Sequence, residues 1–305
     1  MKRPRSQKKL LAATLGTLLA ALGASAYGSG FQIQEQNASG LGLAYSGMAA
    51  AVQDASTVFW NPAGTALLPG IQGAVALNYI MPSTKYADSG ASTYALLGNG
   101  GQGGENALVP AMYGTWMINP QWSVGLGINA PYGLATEWDA RWAGQFHAVR
   151  SEIKTLNINP TVAFKVNSNV SLGLGLSYQR LEAELTNATS PLIPGSIGRV
   201  KGDDWALGWN VGALFNLGPD TRIGLTYRSS QRYTVEGDLT FNTALLAAGV
   251  GTIKADIKLP QNFSVAVSHQ LNPRIRLLAD WTWTGWNSIQ TLNVQRTSGP
   301  LAGTN

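Results

Sequence analysis

The sequence predicts an all-β protein: a transmembrane antiparallel β-barrel with an N-terminal plug, or hatch, in its lumen. Three observations carry this. The chain opens with a secretory leader, most of the rest alternates apolar with small or polar residues over runs of about ten or more, and tight turns alternate with long connections. About nine strands are expected, at 71–81, 108–118, 122–132, 151–166, 170–185, 203–217, 221–238, 253–270 and 275–288.

The leader comes first. Lys2, Arg3, Arg5, Lys8 and Lys9 precede an apolar run from Leu10 to Leu22, followed by Ala24-Ser25-Ala26. A basic region, an apolar stretch and a small-residue site make residues 1–26 a signal peptide cleaved after Ala26. The apolar run, about 13 residues, is too short to span a bilayer. Those five cations account for the whole formal charge of +5, so the remaining chain balances 16 basic against 16 acidic residues. A basic nucleic-acid surface is therefore excluded. The absence of cysteine removes disulfides, thiolate metal sites and thiol nucleophiles. After residue 26 no run of 18 apolar residues offers a membrane helix.

Residues 27–70 are expected to form the plug. Gly30 to Gly64 shows neither a two-residue nor a 3.6-residue period, and Gly40, Gly42, Gly47 and a run of alanines leave it little with which to build a core. The rest, 71–305, reads as strand. Val170, Leu172, Leu174, Leu176 and Tyr178 alternate with Ser171, Gly173, Gly175 and Ser177. Trp205 to Leu217, Ile253 to Val267 and Trp122 to Tyr132 repeat the pattern, each with one apolar and one small or polar face. Soluble strands alternate too, but they usually stop at five or six residues.

The turns 119–121, 167–169, 218–220 and 272–274 carry Asn, Pro or Gly, whereas the connections 82–106, 133–150, 186–203 and 239–252 are long. Short turns at one rim and long loops at the other are the barrel arrangement. Trp116 and Trp122 at a short turn, with Trp138, Trp142, Trp283 and Trp286 near long loops, are expected to form the two aromatic girdles. The small inner faces leave lumen volume for an inserted segment.

Several stretches carry a specific resemblance: Gly30-Phe31-Gln32, Ala38-Ser39-Gly40-Leu41-Gly42, Asn61-Pro62-Ala63-Gly64, Asn129-Ala130-Pro131-Tyr132-Gly133-Leu134, Lys154-Thr155-Leu156-Asn157-Ile158-Asn159-Pro160 and Thr226-Tyr227-Arg228-Ser229. From residue 30 onward the chain resembles the FadL/TodX group of outer-membrane transporters for long-chain fatty acids and other hydrophobic compounds. The resemblance implies fourteen strands, a plug bearing the Asn-Pro-Ala motif, and lateral release of substrate at a kinked third strand. It assigns ligand binding or gating to Phe31, Asn61, Pro62, Ala63, Pro131, Tyr132 and Gly133. Locally, Pro131 removes a ladder donor and Gly133 permits unusual dihedrals, so pairing should fail there, although Pro131 could equally end a strand at a loop. Pro62, likewise, could be a plain turn or a hinge.

Catalytic chemistry has little to work with. His147 and His269 lie far apart in sequence, Ser268 points away from its neighbour His269, and Gly40-Leu41-Gly42 lacks the third glycine of a dinucleotide fingerprint. The expectation is a monomeric, non-enzymatic importer in the bacterial outer membrane. It takes a hydrophobic small molecule, a fatty acid or an aromatic hydrocarbon, and has outer-membrane lipid around it. No cofactor, metal or nucleic acid is expected, and a lipase-type enzyme and a non-specific porin are the rival readings. In the resembled fatty-acid importers, basic side chains hold the carboxylate. Their local counterparts here are Leu185 and Asn293, and the nearest cation, Arg180, shares the outward parity of Leu172 to Tyr178, so a neutral ligand is favoured. Nine strands are an odd number and Ser298 to Asn305 reads as loop, which predicts a truncated chain and an open sheet, with roughly 120 residues needed to complete the barrel.

Overall fold

The computed structural model describes residues 30–90, 92–289, 293–299 and 302–304. The expected signal peptide lies outside the described residues, as do positions 300, 301 and 305 of the expected terminal loop. The larger of the chain's two units is Phe31–Asn305. Its strands are β1 (Ile71–Ile80), β2 (Ala107–Met117), β3 (Trp122–Asn129), β4 (Gly133–Glu137), β5 (Arg150–Lys165), β6 (Val170–Ala188), β7 (Ile197–Asn216), β8 (Thr221–Arg228), β9 (Gln231–Phe241), β10 (Gly251–Leu259), β11 (Asn262–Asn272), β12 (Ile275–Thr284) and β13 (Val294–Arg296).

These segments form one antiparallel sheet in the order β1-β2-β3-β5-β6-β7-β8-β11-β12, with β4 beside β5, β9 between β7 and β10, and β13 on β10. Nine long positions result, because three expected strands are each broken once: β3/β4, β8/β9 and β10/β11. The sheet is open. β1 and β12 are its edges, and no described strand pairs with their outer sides. The short β13 occupies a stretch expected to be loop, where it pairs Ile253–Ala255 of β10.

The alternation sorts as a lipid-facing wall requires. Leu172, Leu174, Leu176 and Tyr178 are exposed on the outer face, whereas Ser171, Gly175, Ser177 and Gln179 are buried within. Outer aromatics pair across strands, Tyr178 with Trp205 (4.4 Å) and Trp122 with Phe164 (4.7 Å). The girdle expectation fails at two tryptophans. Trp142 is 6% exposed and stacks on Trp138 inside the loop layer, and Trp286 packs inward on Phe31. Apolar parity also fails at the breaks. Ile253, Ala255, Ile257 and Leu259 are buried inside, yet Phe263, Val265 and Val267, of the same parity, lie across the break at Pro260 on the outer face. A period of two keeps its phase only while the ladder is unbroken.

Above the apolar band the outer face turns ionic. Arg150 contacts Glu137 and Glu152, Lys154 contacts Glu152, Arg180 contacts Asp203, Lys201 contacts Glu182, and Arg199 is bidentate on Glu184. Register aligns these rows across β5, β6 and β7.

Candidate functional site: the N-terminal segment and the broken wall

Residues 31–68 lie against the inner face of the sheet. With few large side chains they form only short pieces: α1 (Ala38–Leu41), capped by Asn37, whose Oδ1 accepts from Gly40 N at 3.2 Å; α2 (Thr57–Trp60); and a 3-10 turn, Pro62–Leu67. Asn61 caps that turn. Burial, and then the negative charge of Glu35, raise the Tyr45 hydroxyl above its ordinary value, so it remains a donor, to Asn37 O at 3.2 Å.

Asn61 is fully buried. Its Nδ2 donates to Ala49 O (2.7 Å) and to Ala213 O of β7 (3.1 Å), while its Oδ1 accepts from Ala63 N (3.1 Å). One amide thus ties the segment to itself and to the wall. Wall glycines make the fit. A Cβ at Gly212 would overlap Asn61 Oδ1, one at Gly173 would overlap Ala63 N, and one at Gly224 would overlap Ala49 O. Thr65 and Ser123 share a hydrogen bond at 3.0 Å, and Asp280 of β12 accepts from Gly47 N at 2.7 Å.

The third-strand break follows from register. Asn129 faces Asn157 and Gly133 faces Lys154, so residues 130–132 oppose only 155–156. This one-residue bulge turns Tyr132, whose parity predicted an outward side chain, into the interior at 2% exposure. The main-chain groups left free bond the N-terminal segment. Ile33 N donates to Pro131 O (2.9 Å) and Gly133 N to Phe31 O (3.0 Å), in a bridge centred on Gln32 and Tyr132. Phe31 lies 6.0 Å from Tyr132 and 4.9 Å from Trp286. The Tyr132 hydroxyl crosses to Pro260 O at 3.2 Å, the break between β10 and β11.

The structure therefore brings the expected residues together as two groups: Phe31, Pro131, Tyr132 and Gly133 at the wall break, and Asn61, Pro62 and Ala63 against β6 and β7. Leu185 is half-buried and Asn293 exposed, and the Arg180 guanidinium points outward onto Asp203 (3.0 Å), as its parity predicted. His269 pairs with Thr221 at 2.8 Å, and no group of metal-ligating side chains occurs among the described residues.

Sequence reasoning missed a buried polar row. Gln36 donates to Ala130 O (2.9 Å) and accepts from Asn129 (2.7 Å); Asn157 donates to Asn129 Oδ1 (3.0 Å) and accepts from Ser177; Asn159 donates to Asn210 Oδ1 (2.9 Å) and to Leu176 O. The last contact lies where Pro160 offers the ladder no N–H. Asn157 and Asn159 stand two apart in an alternating strand, which was the available signal. Arg228 was missed as well. It ends β8 on the inner face and donates to Phe59 O at 3.0 Å.

Comparison with known proteins bears on this architecture. A family model described as outer membrane protein transport protein (OMPP1/FadL/TodX) matches residues 19–304. A long-chain fatty acid transport protein of Escherichia coli O6:H1 is 30% identical, over 96% of this chain and 74% of its own length. The crystal structure of a Pseudomonas aeruginosa FadL homologue is 25% identical, covers 89% of this chain and 73% of its own, and superposes with a TM-score of 0.77. The Ralstonia pickettii toluene transporter TbuX, 16% identical over 82% of this chain and 72% of its own, shares the fold with a TM-score of 0.61. The chain belongs to the OMPP1/FadL/TodX family of outer-membrane transport proteins.

Proposed function

We propose that this chain is a passive, non-enzymatic importer of hydrophobic compounds, long-chain fatty acids or aromatic hydrocarbons. In this reading residues 27–70 are the plug, Asn61–Ala63 its hinge, and the break at Pro131–Gly133 the sideways exit. One observation carries the reading: the wall's missing ladder is filled by the plug's own main chain at Phe31 and Ile33. A backbone gap facing lipid would leave several unsatisfied groups, so the break is tolerable only while something covers it. Movement of 31–33 opens the wall, and the aromatic lining of Phe31, Tyr132 and Trp286 receives an apolar solute. The relatives' printed substrates, long-chain fatty acids and toluene, are of this class.

The test locks the cover. The paired substitutions Gln32→Cys and Tyr132→Cys place thiols at the bridge positions. Uptake of labelled oleate and toluene by cells carrying the pair should stop under oxidant and resume with reductant. Unchanged uptake with the disulfide formed would overturn the lateral route.

A further inference from the structure

Arg228 is a buried cation without an anion. Its side chain is 8% exposed, Nη2 donates to Phe59 O at 3.0 Å, and the guanidinium lies 4.8 Å over the Phe59 ring. Nη1 is buried with no hydrogen-bond partner, and among the described residues no carboxylate pairs with it. Arginine stays charged at any physiological pH and is donor only. The amide directly opposite in register, Asn210, also keeps a buried, unpartnered donor, Nδ2. By contrast, the arginines Arg150, Arg180 and Arg199 of the outer belt each sit on a carboxylate. A charged group and an amide, both short of an acceptor and both on the inner wall, call for an acceptor-only anion.

The position is suggestive of when that anion arrives. Arg228 is the last residue of β8, immediately before the break to β9, and its partner Phe59 belongs to α2, two residues before Asn61. We propose that Arg228 is the head-group subsite of an anionic amphiphile. A carboxylate on an apolar tail takes the free Nη1 and Asn210 Nδ2 and competes with Phe59 O for Nη2, loosening α2 as it binds. This rests on the uptake reading above and narrows it to acids. It also reverses the neutral ligand expected from Leu185 and Asn293. Stronger, charge-assisted bonds to a carboxylate than to a carbonyl favour the exchange.

The test uses the full chain in lipid nanodiscs at pH 8, with oleate and methyl oleate compared by equilibrium dialysis. The wild-type chain should bind oleate about tenfold to a hundredfold more tightly than its ester, the ratio expected for hydrogen bonds to a charged group. Arg228→Gln should abolish that ratio while leaving ester binding unchanged, and Arg228→Lys should keep part of it. Equal wild-type binding of acid and ester overturns the proposal without any variant and leaves the uptake reading standing. Loss of both ligands together in Arg228→Gln makes the residue a latch for Phe59 only, and also overturns it. Failure of the wild type to bind either ligand removes both readings.

Discussion

At the scale of single residues, the seat of the N-terminal segment is set by what is missing from the wall. Gly173 and Gly212 have no room for a methyl group, since the obstructing atoms are Ala63 N and Asn61 Oδ1, one of them backbone. Gly173→Ala or Gly212→Ala should therefore unseat Asn61–Ala63 and expose the segment to protease in folded protein. Gly114→Ala, where a Cβ meets nothing within 4 Å, should leave the cleavage pattern unchanged. Asn61→Leu keeps the volume but strips three hydrogen bonds and strands the carbonyls of Ala49 and Ala213. It should cost about 2–4 kcal/mol, read as a lower unfolding midpoint in denaturant. The sequence announced small inner side chains, and these glycines are among them. Which glycine meets which plug atom was hidden, because Gly212 and Asn61 are brought together by sheet closure around the segment, a contact no local pattern encodes.

At the scale of elements, alternation located every long strand but was blind to its interruptions. One inserted residue leaves the apolar count of Trp122–Tyr132 untouched while exchanging the faces beyond it. Tyr132 thus looked like a lipid-facing residue and proved to be a centre of the interior. The seventh strand repeats the device. Asn210 faces Arg228 and Asp203 faces Glu236, so 204–209 oppose the longer 229–235. Deleting Pro131 would restore the one-to-one register of β3 and β4 against β5 and keep Tyr132 inward. Amides from Asn129 to Gly133 should then gain hydrogen-exchange protection, and uptake of oleate or toluene should fall to the level of cells lacking the protein. Slow exchange with full uptake would show that the break is not the exit. Pro131 itself was readable from the sequence as a missing donor; what it does to the phase of the strand was not.

At the scale of the whole molecule, the outer face fixes its depth in the bilayer. Leu207 is 72% exposed and Leu176 57%, whereas the ionic rows begin at Arg180 and Lys154 along the same strands. A fluorophore at Leu174 should be quenched by a lipid-borne quencher, and one at Glu184 by an aqueous one; the reverse would invert the assigned orientation. The belt's pairs sit in water, so Glu182→Gln should change stability by less than about 1 kcal/mol. The wall's hold on the segment has a different character. Gly133 N takes Phe31 O, Asn78 takes Glu35 O, Arg222 takes Ala50 O, Arg228 takes Phe59 O, and Asp280 takes Gly47 N. A clasp that closes on peptide groups does not read the side chains between them. Outside Gln36, Asn61 and the positions pressed on the wall glycines, the segment is consequently open to evolutionary drift. A cartridge of foreign sequence that keeps those positions and the same length should click into this wall as well as its own.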